Sequence, residues 1–263
     1  MSRDRPHRRG LLKALAALGG LAASGCDRLS NDQHFRSVLD AANTLTYRAQ
    51  RLLIGAHKLA PEYTEADISP DFRPNGSTDP QDEEYLDLAD NGFADWRLTV
   101  DGLVEHELAL SLAELRQLPS RTQITRHDSV EGWSSIAKWT GVPLSEVLER
   151  ARVKGEARYV VFHCADTLNE GSEIVTDPES IRYYESIDLV DAAHPQTILA
   201  YEMNGKALTT PYGAPLRLRL ERQLGYKMAK YIMRIELVRS FDELHGGKGG
   251  YWEDRGYEWY AGI

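Results

Sequence analysis

Only two cysteines, Cys26 and Cys164, occur in 263 residues. That is too few for a cysteine-rich zinc or iron–sulfur site. Cys26 falls in a leader segment, so no intramolecular disulfide is expected in the mature fold. Basic residues are also outnumbered. Against 40 Asp and Glu there are 31 Lys and Arg, giving a net charge of −9 and a pI of about 5.4. This balance argues against a nucleic-acid-binding protein, which usually carries a basic face. There is no G-x-S-x-G elbow, no H-x-x-x-H pattern, no haem motif, no internal repeat and no low-complexity segment. What the chain does have is 42% hydrophobic residues, enough for one sizeable core or a core with a small appendage.

The first 30 residues read as a targeting segment. RPHRRG supplies a basic start and LLKALAALGGLAA a mildly apolar run too short for a confident membrane-spanning helix. Arg8-Arg9-Gly10-Leu11-Leu12-Lys13 has the twin-arginine pattern, which exports folded proteins to the periplasm; an ordinary secretory leader is the alternative. Ala23-Ser24-Gly25-Cys26 resembles a lipoprotein cleavage box with Cys26 as the acylated residue, although Ala23 stands where Leu is more usual.

Residues 31–92 read as a helix and an irregular connector. Ser30-Asn31-Asp32 can cap a helix whose apolar stripe runs from Phe35 through Leu45 and Leu52 to Leu59, ending at Pro61. The stretch 61–92 is rich in proline and acids. From residue 93 to 263 the pattern is that of an α+β domain with a β-rich body, short helices and long loops. WRLTVDG, ARYVVFHCADT and KYIMRIELV read as strands. LSLAELRQLP reads as a capped helix, and VPLSEVLERA as another with Ser145 as its cap.

Three constellations could carry chemistry. His127, Asp128 and Ser129 are adjacent, but sequence neighbours point apart and do not make a hydrolase triad. His163 and Cys164 face opposite sides of a strand, so they cannot act as a base and thiol pair there. More informative are Arg217, Arg219, Arg222, Lys227, Lys230 and Arg234 in an otherwise acidic chain. In PLRLRLER, Arg217 and Arg219 share one face. In LGYKMAK, a turn could present backbone N–H groups with the heads of Lys227 and Lys230 as a phosphate cradle. A solvated strand face is the other reading of these residues. The tail HGGKGGYWEDRGYEWYAGI either folds over the body or forms an aromatic binding lip.

Four ordered blocks, FADWRLTVDGLV, TRHDSVEGWSSIAKWTGVPL, ESIDLVDAAHPQTILAYEMNG and GAPLRLRLERQLGYKMAKYIMRIELV, resemble the sulfite oxidase superfamily and its oxidoreductase molybdopterin-binding domain. The resemblance covers most of the mature chain. It implies a sulfite-oxidase-type fold, a Mo-molybdopterin cofactor and two-electron oxygen-atom-transfer chemistry. It also implies a small-molecule or protein-sulfoxide substrate, a haem-containing membrane subunit or a cytochrome as electron partner, and a monomer.

The resemblance assigns residues as well. In the family a thiolate in an [RM]-x-C-V-E-x-W block ligates the metal; Ser129 occupies that position here. Arg217 falls on the arginine that holds the cofactor, and Met228, Ala229 and Lys230 fall on its phosphate-binding segment, adjoining Lys227 of the cradle. Cys164 and Tyr212 fall where a cofactor-contacting Thr and Asn are found, and Asn75 in FRPNGST matches an early Asn contact. A thiol ionises near pH 8.5, whereas an alcohol stays protonated to about the pKa of water, ~16, unless a metal lowers it. Ser129 therefore leaves three readings open: an oxygen-ligated enzyme, a family member that binds without turnover, and a replacement of the usual Cys. Direct ligation by Cys164 is disfavoured, because the matched Thr contacts the pterin.

Overall fold

The alternating stretches of the sequence become two five-stranded sheets in the computed structural model, which describes residues 45–51, 55, 57–168 and 182–263. In the first sheet the order is β2 (Leu108–Ser111), β1 (Arg97–Gly102), β10 (Ile232–Val238), β5 (Tyr159–Thr167) and β6 (Arg182–Asp188). Only the β1–β10 pair is parallel. In the second sheet β3 (Arg121–Asp128), β4 (Ser134–Pro143), β7 (Ile198–Met203) and β8 (Lys206–Ala207) follow one another, and β9 (Arg217–Arg219) pairs with the start of β7 on the edge away from β4. The main core includes Trp96, Leu98, Val100, Phe162, Leu218 and Ile235. Each of these is fully removed from solvent, at roughly 1.5–3 kcal/mol per large side chain.

The chain divides into two units, Met1–Leu53 and Ile54–Ile263. Within the first, residues 45–51 are helical; the twin-arginine stretch, Cys26 and the start of the expected long helix lie outside the described residues. The helix does not continue to Pro61. Gly55 takes a φ of +71°, a left-handed conformation that ends helices. Beyond it the chain bonds elsewhere: Ala60 donates its N–H to Gln196 Oε1 at 2.8 Å and accepts from Gln196 Nε2 at 3.1 Å. The acidic connector also differs from the expectation of an irregular segment. It holds a helix, Glu83–Asp90, capped by Asp82, whose carboxylate accepts the Tyr85 N–H at 2.9 Å.

Both helices expected further on are present, with one correction. Leu112–Gln117 starts at Ser111, which forms a capping box with Glu114. Ser111→Ala is expected to cost about 1 kcal/mol, read as a lower urea midpoint at unchanged slope. Leu144–Ala151 is entered from Pro143 with no side-chain cap, so Ser145 lies inside the helix and does not cap it. The first helical N–H, that of Leu144, instead donates to the Thr197 carbonyl at 3.0 Å, a backbone acceptor from outside the helix.

Candidate active site

β3 buries Gln123, Thr125 and His127 on one face, because alternate residues of a strand point the same way. His127 is the last of these, and the chain then turns. Gly132 donates its N–H to the Ser129 carbonyl at 3.1 Å, and the Ser129 N–H meets the Trp133 carbonyl at 2.9 Å. The Ser129 hydroxyl accepts the Glu131 N–H at 3.1 Å. This tight turn delivers His127, Ser129 and Glu131 to the wall of a cavity of about 310 Å³, within the ~300–1,000 Å³ range of small-ligand pockets. Asn75, Asp166, Tyr183, Met228 and Lys230 also line it.

One side of the cavity is built on charge. The face shared by Arg217 and Arg219 on β9 is buried, not solvated: both lie at 0% exposure over Trp139, with guanidinium carbons 4.9 and 4.4 Å from its ring. Arg219 is neutralised by a two-point pair with Glu221 at 2.9 and 2.7 Å. Arg217 is not. It donates to the Tyr212 carbonyl at 3.0 Å and reaches Asn75 Oδ1 at 3.5 Å, while its Nε has no partner among the described residues. Burial, and then the field of Arg219, pull its pKa down to about 9. Lys230 donates to the Ser77 carbonyl and, at 3.1 Å, to that of Pro211. Burial and then Arg217 pull its pKa down to about 7. Among the described residues neither Arg217 nor Lys230 meets a carboxylate within 4.0 Å, and the amides of Ala229 and Lys230 donate to no protein acceptor. Gly213, at φ +98°, lets the two cations approach, since a Cβ there would sit 3.0 Å from Lys230 and 3.2 Å from Arg217. Two buried, unneutralised cations beside free N–H groups suit an anionic group such as a phosphate.

His127 is neutral in this field. Burial, reinforced by Arg219, Arg217 and Lys230, holds its pKa well below the usual histidine value. Its Nδ1 accepts from Arg219 at 3.2 Å, so the hydrogen resides on Nε2, which has no partner among the described residues. The ring stacks on Trp133, 5.5 Å between centroids, and Trp133 carries the Arg73 guanidinium at 5.5 Å. Opposite stands the C-terminal tail, which does both of the things its sequence allowed. It folds over the body through buried Tyr251 and Glu253, and it presents Trp252 and Tyr257 to the cavity.

The residues singled out in the sequence are placed unevenly. Asn75, Ser129, Met228 and Lys230 line the cavity, Arg217 lies behind Asn75, and Ala229 is buried beside Met228. Tyr212 turns its hydroxyl to the Phe72 carbonyl at 2.9 Å and meets Arg217 through its own carbonyl. Cys164 is a buried free thiol inside the core, pushed up in pKa by burial and then by Asp166. Lys227 corrects the expected cradle. The single turn Gly225–Lys227 sends its ammonium away from Lys230 to a pair of buried carboxylates, Glu185 and Glu253. Asp166, Tyr183 and Tyr226 were missed in the sequence. Asp166 belongs to the stretch ARYVVFHCADT, which reads as an ordinary buried strand.

Among the described residues no cluster of three or more His, Cys, Asp or Glu could hold a bare metal ion. A metal here would have to bring ligands of its own, as a dithiolene-bound metal does. The anion cradle and the single hydroxyl of Ser129 across the cavity fit that kind of group.

Residues 86–244 match the family profile described as the oxidoreductase molybdopterin binding domain. The chain is 38% identical over 258 residues to the putative protein-methionine-sulfoxide reductase subunit YedZ1 of Azospira oryzae, covering 98% of this chain and 88% of that protein. It is 37% identical over 149 residues to the protein-methionine-sulfoxide reductase catalytic subunit MsrP of Xanthomonas axonopodis, covering 56% of this chain. The matched segment spans 46% of that reductase's length. Among solved structures, the sulfane dehydrogenase SoxCD of Paracoccus pantotrophus superposes with a TM-score of 0.47 at 23% identity, over 56% of this chain and 39% of that one.

Proposed function

The chain belongs to the oxidoreductase molybdopterin-binding domain family, within the sulfite oxidase superfamily, and on that premise we propose that it binds Mo-molybdopterin in the cavity of Ser129 and Lys230 and reduces sulfoxides there. The chain is a molybdopterin oxidoreductase; the sulfoxide substrate and the serine ligand are the specific parts of the reading. The observation that carries it is the pair of buried basic groups, Arg217 and Lys230, with no carboxylate within 4.0 Å among the described residues, beside the cavity.

Lys230, the amides of Ala229 and Lys230, and Arg217 acting beside Asn75 would hold the phosphate and pterin end. Ser129 would face the metal as an alkoxide, and the Glu131 N–H already donates to its Oγ, which favours the anionic form. When bound, the cofactor supplies a two-electron centre for oxygen-atom transfer. Sulfoxide reduction takes up two electrons and two protons and releases the oxygen as water. The chain's residues shape the approach: Trp252, Tyr257 and Tyr226 give an aromatic wall suited to a thioether sulfur, worth ~0.3–1.5 kcal/mol per contact. Arg73 and Glu131, paired at 3.5 Å, mark the opposite rim.

We further infer export by the twin-arginine route, with Cys26 as a lipid attachment point. The electron donor would be a haem-bearing membrane subunit or a cytochrome, and the enzyme would act as a monomer. Export of a folded protein agrees with a cofactor inserted before translocation.

The test is metal content. Purified from a molybdopterin-competent bacterium, the native chain is expected to carry about one Mo per chain and to reduce methionine sulfoxide with a chemical electron donor. Ser129→Cys should retain Mo and change the Mo(V) resonance spectrum, because oxygen is a harder donor than sulfur. An unchanged spectrum, or Mo found only in the Cys variant, would remove Ser129 from the metal site.

A further inference from the structure

A second buried charge cluster lies beside the cavity. Tyr183 and Glu185 share one face of β6. Tyr183 lines the cavity, and its hydroxyl lies 3.4 Å from Glu185 Oε2 and also donates to the Tyr226 carbonyl. Glu185 Oε1 accepts from Lys227 and, at 2.7 Å, from the Ser186 N–H. Lys227 also donates to Glu253 of the tail at 2.5 Å. Side chains of Lys227, Glu185 and Glu253 are at most 1% exposed.

The charges do not balance. Two buried carboxylates face one buried ammonium, and among the described residues Glu253 Oε2 has no partner. An uncompensated buried negative charge is costly, and the least costly remedy is to keep one proton. The groups facing the cluster agree: Tyr183 on β6, Cys164 and Asp166 on β5, and Glu253 from the tail add no second cation. Burial, then Glu253, raise the Glu185 pKa well above the usual carboxylate range, with Lys227 only partly opposing them.

We propose that Glu185 is the proton reservoir of the cavity, passing its proton through the Tyr183 hydroxyl to the oxygen that leaves the substrate. The role rests on the sulfoxide reading. Glu185 gives a proton to the Tyr183 oxygen as that phenol turns its own hydrogen from the Tyr226 carbonyl to the departing oxygen and releases it there. The electrons come from the electron-donor protein, and the second proton comes from solvent. Glu185 is left as a carboxylate beside Lys227 and is reprotonated before the next turnover. The tail thus sets the chemistry of the cavity from behind: Glu253 competes for Lys227 and so keeps Glu185 protonated.

Infrared spectroscopy of the purified full chain tests the proton without requiring turnover. A carboxylic-acid C=O band should persist at neutral pH and vanish in Glu185→Gln. It should also vanish in Glu253→Gln, where Glu185 is intact but has Lys227 to itself. Tyr183→Phe should keep the band. In the Mo-loaded enzyme, Glu185→Gln and Tyr183→Phe should each lower kcat for methionine sulfoxide at least tenfold with KM unchanged, the lower end of general-acid effects being about a hundredfold. Absence of the band, or its survival in Glu253→Gln, overturns the reservoir whether or not the enzyme turns over. Unchanged kcat in both variants overturns the relay. A native enzyme that loads Mo but reduces no sulfoxide sinks the sulfoxide reading, while the infrared bands still decide the reservoir.

Discussion

Lys230→Met is expected to separate cofactor binding from folding. Retention of molybdopterin should fall roughly 10- to 100-fold, the equivalent of one charge-assisted hydrogen bond worth ~1.5–3 kcal/mol. The metal-free protein should respond in the opposite direction. Burial and Arg217 pull the Lys230 pKa from 10.5 to about 7, so between those values the unfolded chain holds a proton that the folded chain releases. Where the unfolded state binds more protons, stability rises with pH. Native metal-free protein should therefore gain stability from about pH 7 to pH 10.5, and the variant should lose that slope. Urea unfolding at several pH values, with pterin content measured alongside, checks both. An unchanged slope together with full pterin content would mean that Lys230 faces no anion and carries no burial penalty. Phosphate added to the metal-free native protein should raise its midpoint and leave the variant unmoved, because a ligand that binds only the folded state stabilises it by mass action.

Lys227→Met should damage the fold itself. It leaves Glu185 and Glu253 facing each other with no cation, and breaking a buried ion pair from one side costs ~3–5 kcal/mol. That is a large share of the ~5–15 kcal/mol that holds a domain together. The metal-free protein should show a clear drop in urea midpoint, and adding Glu253→Gln should recover part of it by removing the stranded carboxylate. The two lysines, three residues apart, thus make opposite predictions for the metal-free state. If Lys227→Met unfolded at the native midpoint and lost only the cofactor, Lys227 would belong to the phosphate cradle after all.

The contrast between these lysines shows what kind of information each level holds. Alternation in PLRLRLER determined that Arg217 and Arg219 share a face, since a strand allows no other arrangement. It did not determine that the face is buried. That required Trp139 from β4, a strand 78 residues earlier in Arg217's numbering, to lie beneath them. The block around Ser129 was legible because its length and order match a family, and the strand–turn–strand frame there follows from local sequence. The helix expected to reach Pro61 failed because periodicity is local, while Gly55 and Gln196 settle the matter from outside it.

By itself, then, the sequence determined the family and the strand pattern of the α+β body. Each depends on residues close together in the chain. Tertiary structure alone decided which charges are neutralised. Glu221 quiets Arg219, Glu185 and Glu253 quiet Lys227, and Arg217 and Lys230 are left without an ion-pair partner among the described residues, Lys230 on the cavity wall and Arg217 behind Asn75. The physical reason is that Coulomb energy and desolvation depend on distance and burial, and Glu185 reaches Lys227 across 42 positions of the chain, a separation no local pattern encodes.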